Sequence, residues 1–270
     1  MGASPPDGPG ELLSRRRLFQ VAGAAGVAVA AVACTTRSVA TPTAGSGSAS
    51  VPSPGAPAKP LPEQVPVVAP TPAPTTTSAG LVCRDGWGAR PARPGGTPHT
   101  ISRMTLHHTA VVLGDNSNIT SRLRQHQAYH QDQQGWIDIA YHLGVDRDGN
   151  IFELRTPDLA GDTATSYDPR GHFLVVCEGD FDQEAVSEAQ LQGAAVAFAW
   201  AAQNFGVATA SLAGHQDYAS TSCPGANLNA HIASGDLKRR VDDLVLAGPV
   251  DLQPMCGPEA AAVVAAIEAG

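Results

Sequence analysis

Residues Gly135–Arg155 read GWIDIAYHLGVDRDGNIFELR. Two runs, Asp138 to Val145 and Asn150 to Leu154, flank Asp148-Gly149, a dipeptide suited to the positive-φ positions of a tight hairpin turn. β-branched and aromatic residues recur in both runs, so the stretch predicts two antiparallel strands. Met104 to His107 reads as a short strand upstream, and Phe173 to Cys177 (FLVVC) as a buried strand downstream. Between and after them lie helical patterns. Asn118 to about Gln131 has polar Ser117 and its neighbours available to cap it. Glu184 to Phe205 is Ala-rich, with Gly206 placed to close its C-terminal end, and Leu191, Ala195, Phe198 and Ala202 recur at helical spacing toward the sheet. Leu237 to Leu244 and Ala260 to Ala269 complete the set. Strands alternating with helices predict an α/β domain, a central mixed β-sheet flanked by helices. No internal repeat is evident.

The first 34 residues stand apart from this domain. Ser14-Arg15-Arg16-Arg17-Leu18-Phe19 is a twin-arginine run, and Val21 to Ala33 is a weakly apolar stretch too short to span a bilayer. A positive flank, an apolar stretch and small residues before Cys34 read as an export signal. Ala31-Val32-Ala33 fits two endings: cleavage after a small-x-small triplet, or a lipoprotein box in which Cys34 becomes an acylated first residue anchoring the chain to a membrane. Residues 35–80 are rich in Pro, Ser, Thr, Ala and Gly. So few large apolar groups do not offset the entropy of ordering, which predicts a disordered, partly extended spacer. The folded domain is expected at 81–270, long enough for one core of its own.

The whole chain carries a formal net charge of −8, and signal and spacer each carry +1, leaving −10 on residues 81–270. A domain this acidic lacks the electrostatic footprint of a nucleic-acid binder. Of the five cysteines, Cys177 lies in an apolar run and is expected to be buried. Cys83 and Cys256 flank the domain, and an exported protein permits a disulfide between them.

Chemistry concentrates in GHQDYASTSCPG, Gly214 to Gly225, where His215 and Cys223 lie eight residues apart, and in LHHTA, Leu106 to Ala110. Two imidazoles and a thiolate from distant segments make an open zinc site with a position left for water, the pattern of catalytic rather than structural zinc. On a strand only one of His107 and His108 faces a given side.

These motifs in order, with WGARP at Trp87 to Pro91 and the Gly135–Arg155 hairpin, resemble the zinc-dependent N-acetylmuramoyl-L-alanine amidases related to phage lysozyme-amidases and to animal peptidoglycan recognition proteins. The resemblance runs from Trp87 to near Leu244 and implies their fold. It selects His107, His215 and Cys223 as ligands of Zn²⁺, leaving His108 to pack or to support the site from behind. It further implies Tyr141 as a hydroxyl near the metal and Thr221, where some phage relatives have lysine, as a donor to the tetrahedral intermediate. The expected reaction is hydrolysis of the amide between N-acetylmuramic acid and L-alanine in peptidoglycan or muropeptides, by a monomer. No acidic residue in these motifs is assigned as general base. Asp217 is open to two readings, orienting a ligand or capping a loop. His126, His130, His142 and His172 are expected in core or surface positions, and Trp87 and Trp136 in the core or at the groove edge. Ala160 to Phe173, AGDTATSYDPRGHF, departs from the Gly-Ala-His-like segment of many relatives, which puts stem-peptide preference in doubt. The alternative function is a non-catalytic peptidoglycan-binding module, but members of that kind generally lack the cysteine. A structural zinc protein would need a fourth protein ligand, and none is apparent.

Overall fold

In the computed structural model, which describes residues 74–270, seven strands form one sheet. They are β1 (Thr77–Val82), β2 (Arg103–His108), β3 (Leu143–Val145), β4 (Ile151–Glu153), β5 (His172–Cys177), β6 (Leu212–Gly214) and β7 (Val250–Met255), in the spatial order β6-β2-β5-β3-β4-β1-β7. β3 and β4 pair antiparallel across the Asp148-Gly149 turn, while the remaining neighbours run parallel. Five helices surround the sheet: α1 (Ile119–Asp132), α2 (Glu188–Phe205), α3 (Ala226–Ala233), α4 (Asp236–Ala247) and α5 (Pro258–Ala269). The mixed α/β architecture expected from the sequence is present. The twin-arginine signal and Cys34 lie outside the described residues, as does most of the spacer.

Strand alternation sorts the core into two layers. Met104 and Leu106 of β2 and Phe173, Val175 and Cys177 of β5 pack with Leu191, Ala195 and Phe198 of α2 and Leu237 and Val241 of α4. On the other layer, Val82, Phe152 and Val176 pack with Ile119 and Leu123 of α1, Ala260 and Val264 of α5, and the fully buried Trp87. Burying each large apolar side chain contributes roughly 1.5–3 kcal/mol, so the two layers hold the sheet from both faces.

Several boundaries differ from expectation, each for a local reason. β1 starts at Thr77, inside the segment whose composition reads as spacer, because its ladder to β7 from Thr77↔Val250 to Val82↔Met255 uses backbone groups and needs few apolar side chains. The expected strand from Asp138 contracts to β3, because the buried Arg155 guanidinium donates to the carbonyls of Asp138 (3.0 Å), Ile139 (2.8 Å) and Ala160 (2.6 Å). Those bonds hold Asp138–His142 in an irregular path. α2 starts at Glu188 rather than Glu184, since the Ser187 hydroxyl accepts the Gln190 N–H at 3.0 Å as its N-cap. Glu184 instead accepts N–H groups of Leu113 (3.0 Å) and Asp180 (2.8 Å), tying two loops together. α2 closes at Gly206 with φ 65°. β1, α3, β6 and β7 have no counterpart in the sequence reading.

Cys83 and Cys256 form a disulfide with their Cα atoms 5.0 Å apart and a sequence separation of 173. It joins the end of β1 to the end of β7, and Cys177 is a buried free thiol. A cross-link closing so long a loop restricts the unfolded chain by up to about 5 kcal/mol in the chain-entropy treatment. Replacing both cysteines with serine is therefore expected to lower the melting temperature by roughly 5–15 °C in calorimetry. A shift below about 2 °C would mean that the backbone ladder alone fixes this edge.

Candidate metal centre

Parallel pairing of β2 with the edge strand β6 builds the site. Leu106 lies opposite Gly214, so the next residue of each chain, His107 and His215, emerges beside the other at the carboxyl ends of the two strands. Their ring centroids are 4.6 Å apart. Alternation sends His107 to the α1 side of β2 while Leu106 faces α2. His108 points away from it and packs on Phe181, whose N–H its Nδ1 accepts at 3.3 Å.

After β6 the chain makes a single 3-10 turn, His215–Asp217, closed by the Asp217 carboxylate accepting the Gly214 N–H at 2.8 Å. Of its two readings, Asp217 thus takes that of a turn cap. The Gln216 N–H donates to the Cys223 carbonyl at 2.9 Å, returning the chain to the site. The Cys223 thiol then sits 3.6 Å from His107 Nδ1 and receives the His108 backbone N–H at 3.4 Å. Gly225, two residues on, has φ 86°, and a Cβ there would lie 2.7 Å from the Phe181 carbonyl carbon and 2.9 Å from His108 Nδ1. A side chain at this position would push the cysteine loop off the sheet.

His107, His215 and Cys223 are all buried, and one donor atom of each lies within 4.8 Å of the others. A four-coordinate zinc with Zn–S about 2.3 Å and Zn–N about 2.05 Å separates sulfur from nitrogen by about 3.6 Å at the tetrahedral angle, which is the Cys223–His107 spacing. The residues present fit such an ion. Burial drives the His107 imidazole well below its ordinary pKa, and brings His215 down to about 4, so both rings are neutral and able to serve as ligands. Burial pushes the Cys223 thiol up to about 12 against the opposing pull of the His108 N–H. A cation entering here must therefore expel the thiol proton.

The three donors open onto a cleft of about 230 Å³, which Tyr141, Thr221, His130 and Trp136 also line. Tyr141 is half-buried with its ring 5.0 Å from that of His107, and burial raises its phenol well above the usual range. The Thr221 hydroxyl oxygen accepts the Cys223 N–H at 3.2 Å, leaving its own proton to donate into the cleft. His130, lowered to about 3 by burial, accepts the Ala140 N–H at 3.2 Å. The other histidines stay away from the donors: His126 pairs with Glu178 at 3.2 Å, His142 accepts the Leu174 N–H at 2.9 Å, and His172 contacts the Thr105 hydroxyl at 2.7 Å.

Two contacts were invisible to sequence reasoning. Thr165 Oγ1 lies 2.8 Å from His215 Nε2, and the Tyr167 ring lies 4.9 Å from that of His215. Both belong to the Ala160–Phe173 segment, whose hydroxyl residues carry no periodic or spacing signal.

The domain that carries these residues is similar to known proteins. Residues 97–226 match the family described as N-acetylmuramoyl-L-alanine amidase. Peptidoglycan-recognition protein LB of Drosophila melanogaster is 29% identical over 195 residues, covering 68% of this chain and 82% of that protein. The N-acetylmuramoyl-L-alanine amidase of Homo sapiens is 32% identical over 152 residues, 53% of this chain and 26% of its own length. The solved structure of human PGRP-IBETAC in complex with glycosamyl muramyl pentapeptide superposes with a TM-score of 0.52 at 25% identity, covering 57% of this chain and 95% of that one.

Elemental analysis of the purified protein is expected to find one divalent metal per chain, lost in His107→Ala and in Cys223→Ala but retained in His108→Ala. Retention in His107→Ala with loss in His108→Ala would put the wrong face of β2 in the site.

Proposed function

We propose that this chain, whose residues 97–226 form a domain of the N-acetylmuramoyl-L-alanine amidase family, hydrolyses the amide that joins the lactyl group of N-acetylmuramic acid to L-alanine in peptidoglycan. The observation that carries the reading is the buried His107–His215–Cys223 group opening onto a cleft. Three protein donors with one side open are the arrangement of a catalytic rather than a structural zinc. When bound, zinc supplies a Lewis acid for the amide carbonyl and a water that is nucleophilic at neutral pH.

The chain's own residues hold and polarise the substrate. Tyr141, kept protonated by burial, donates its O–H toward the carbonyl oxygen as negative charge develops there. Thr221, whose hydroxyl oxygen accepts the Cys223 N–H, donates from the loop that leads to the cysteine. The water oxygen bonds to the carbonyl carbon, the C–N bond breaks, and the water's protons are shared between the lactyl carboxyl product and the departing alanine amine. Asp162, the acidic residue lining the cleft, is paired with Arg155 at 2.5 Å and holds the cleft wall. Trp136 offers an apolar face to the sugar or stem peptide.

Such a substrate lies outside the cytoplasmic membrane. That location agrees with export through Arg15, Arg16 and Arg17 and with a tether made by the Pro-rich segment, carried on an acylated Cys34 or released by cleavage.

Incubation with purified cell wall is expected to release stem peptides bearing a free L-alanine amine, as read by mass spectrometry of the soluble products. Tyr141→Phe and Thr221→Val should each lower kcat by on the order of 10²-fold with KM little changed, the signature of a lost transition-state donor. Tight muropeptide binding without any release of alanine-terminated peptide contradicts hydrolysis and leaves the non-catalytic binding module.

A further inference from the structure

We propose that Thr165 is the positioning residue of the metal centre, its hydroxyl fixing the His215 ring so that Nδ1 is presented to the ion. The inference rests on the metal reading above and adds to it a residue outside the donor set. Of the two imidazoles, His107 sits within a central strand, and its Nε2 is buried with no partner among the described residues. Packing alone orients that ring. His215 has no such frame, because it leaves the sheet at the end of β6 and begins a short turn. Its orientation needs a bond, and Thr165 Oγ1 supplies one at 2.8 Å to Nε2. A hydroxyl accepting the Nε2–H selects the tautomer whose lone pair is on Nδ1.

Thr165 is itself held by Thr163. Its hydroxyl contacts Thr163 Oγ1 at 2.8 Å, and its N–H donates to the same oxygen at 3.1 Å. At the root of the loop, Asp162 pairs with Arg155 at 2.5 Å, and Arg155 also binds the carbonyls of Asp138 and Ile139 just before Tyr141. One buried guanidinium therefore ties the loop that steers His215 to the segment that carries Tyr141. The Tyr167 ring, 4.9 Å from His215, packs near the same imidazole.

The test compares zinc affinity, by competition with a chromophoric chelator, for the full chain, Thr165→Val and Thr165→Ser, together with the cobalt-substituted absorption spectra. Thr165→Val keeps the shape and removes the hydroxyl, and it is expected to weaken zinc binding about 10–100-fold and to alter the cobalt spectrum. Thr165→Ser keeps the hydroxyl and should stay within about threefold of the parent, a smaller effect than loss of an outer hydrogen bond to a ligand. Parent-like affinity in Thr165→Val, or an equal loss in both variants, overturns the proposal while leaving the metal centre intact. Failure of the unsubstituted protein to bind zinc overturns both.

Discussion

The parallel register between β2 and β6 is the constraint on which the site depends. With Leu106 opposite Gly214, the two histidines come side by side at the strand ends without any loop having to search for the other. A slip of one residue would turn His107 toward α2 and put Leu106 in the cleft, since strand side chains alternate. The buried apolar positions Met104 and Leu106 forbid that slip, because it would expose them to the opposite layer. Hydrophobic patterning of a short strand thus fixes the geometry of a polar centre.

The cysteine arrives by a different kind of constraint. Its loop is closed by backbone bonds, seated by a glycine pressed against Phe181 and His108, and finished by the His108 N–H on its sulfur. His108, its ring on the face of β2 opposite His107, supports the site twice, through its backbone to Cys223 and through its ring to Phe181. The two members of the histidine pair therefore act on opposite faces of one strand.

The sequence made the core of this arrangement legible where local signals were strong. The Asp148-Gly149 turn marked the hairpin, FLVVC marked β5, and Ala-rich spacing marked α2. Resemblance in motif order singled out the donors and the two hydroxyls. Two parallel strands at the sheet's flanks were not legible: β6 has three residues and no periodicity, and β1 is weakly apolar and pairs with β7 across most of the domain. Arg155 was read only as part of a motif, although its buried bonds decide where β3 begins. β1, α4, β7, α5 and the disulfide all lie outside the residues matching the family. Thr165 shows the same limit on a smaller scale, because a single hydroxyl in an aperiodic loop gains meaning only when the fold brings His215 to it.

X-ray absorption at the zinc edge of the metal-loaded protein examines the centre most directly. One sulfur at about 2.3 Å and two imidazole nitrogens at about 2.0–2.1 Å, with a lighter fourth neighbour, are the shell that His107, His215 and Cys223 require. A shell of nitrogen and oxygen alone, or one holding a second sulfur, would contradict the site as assembled here.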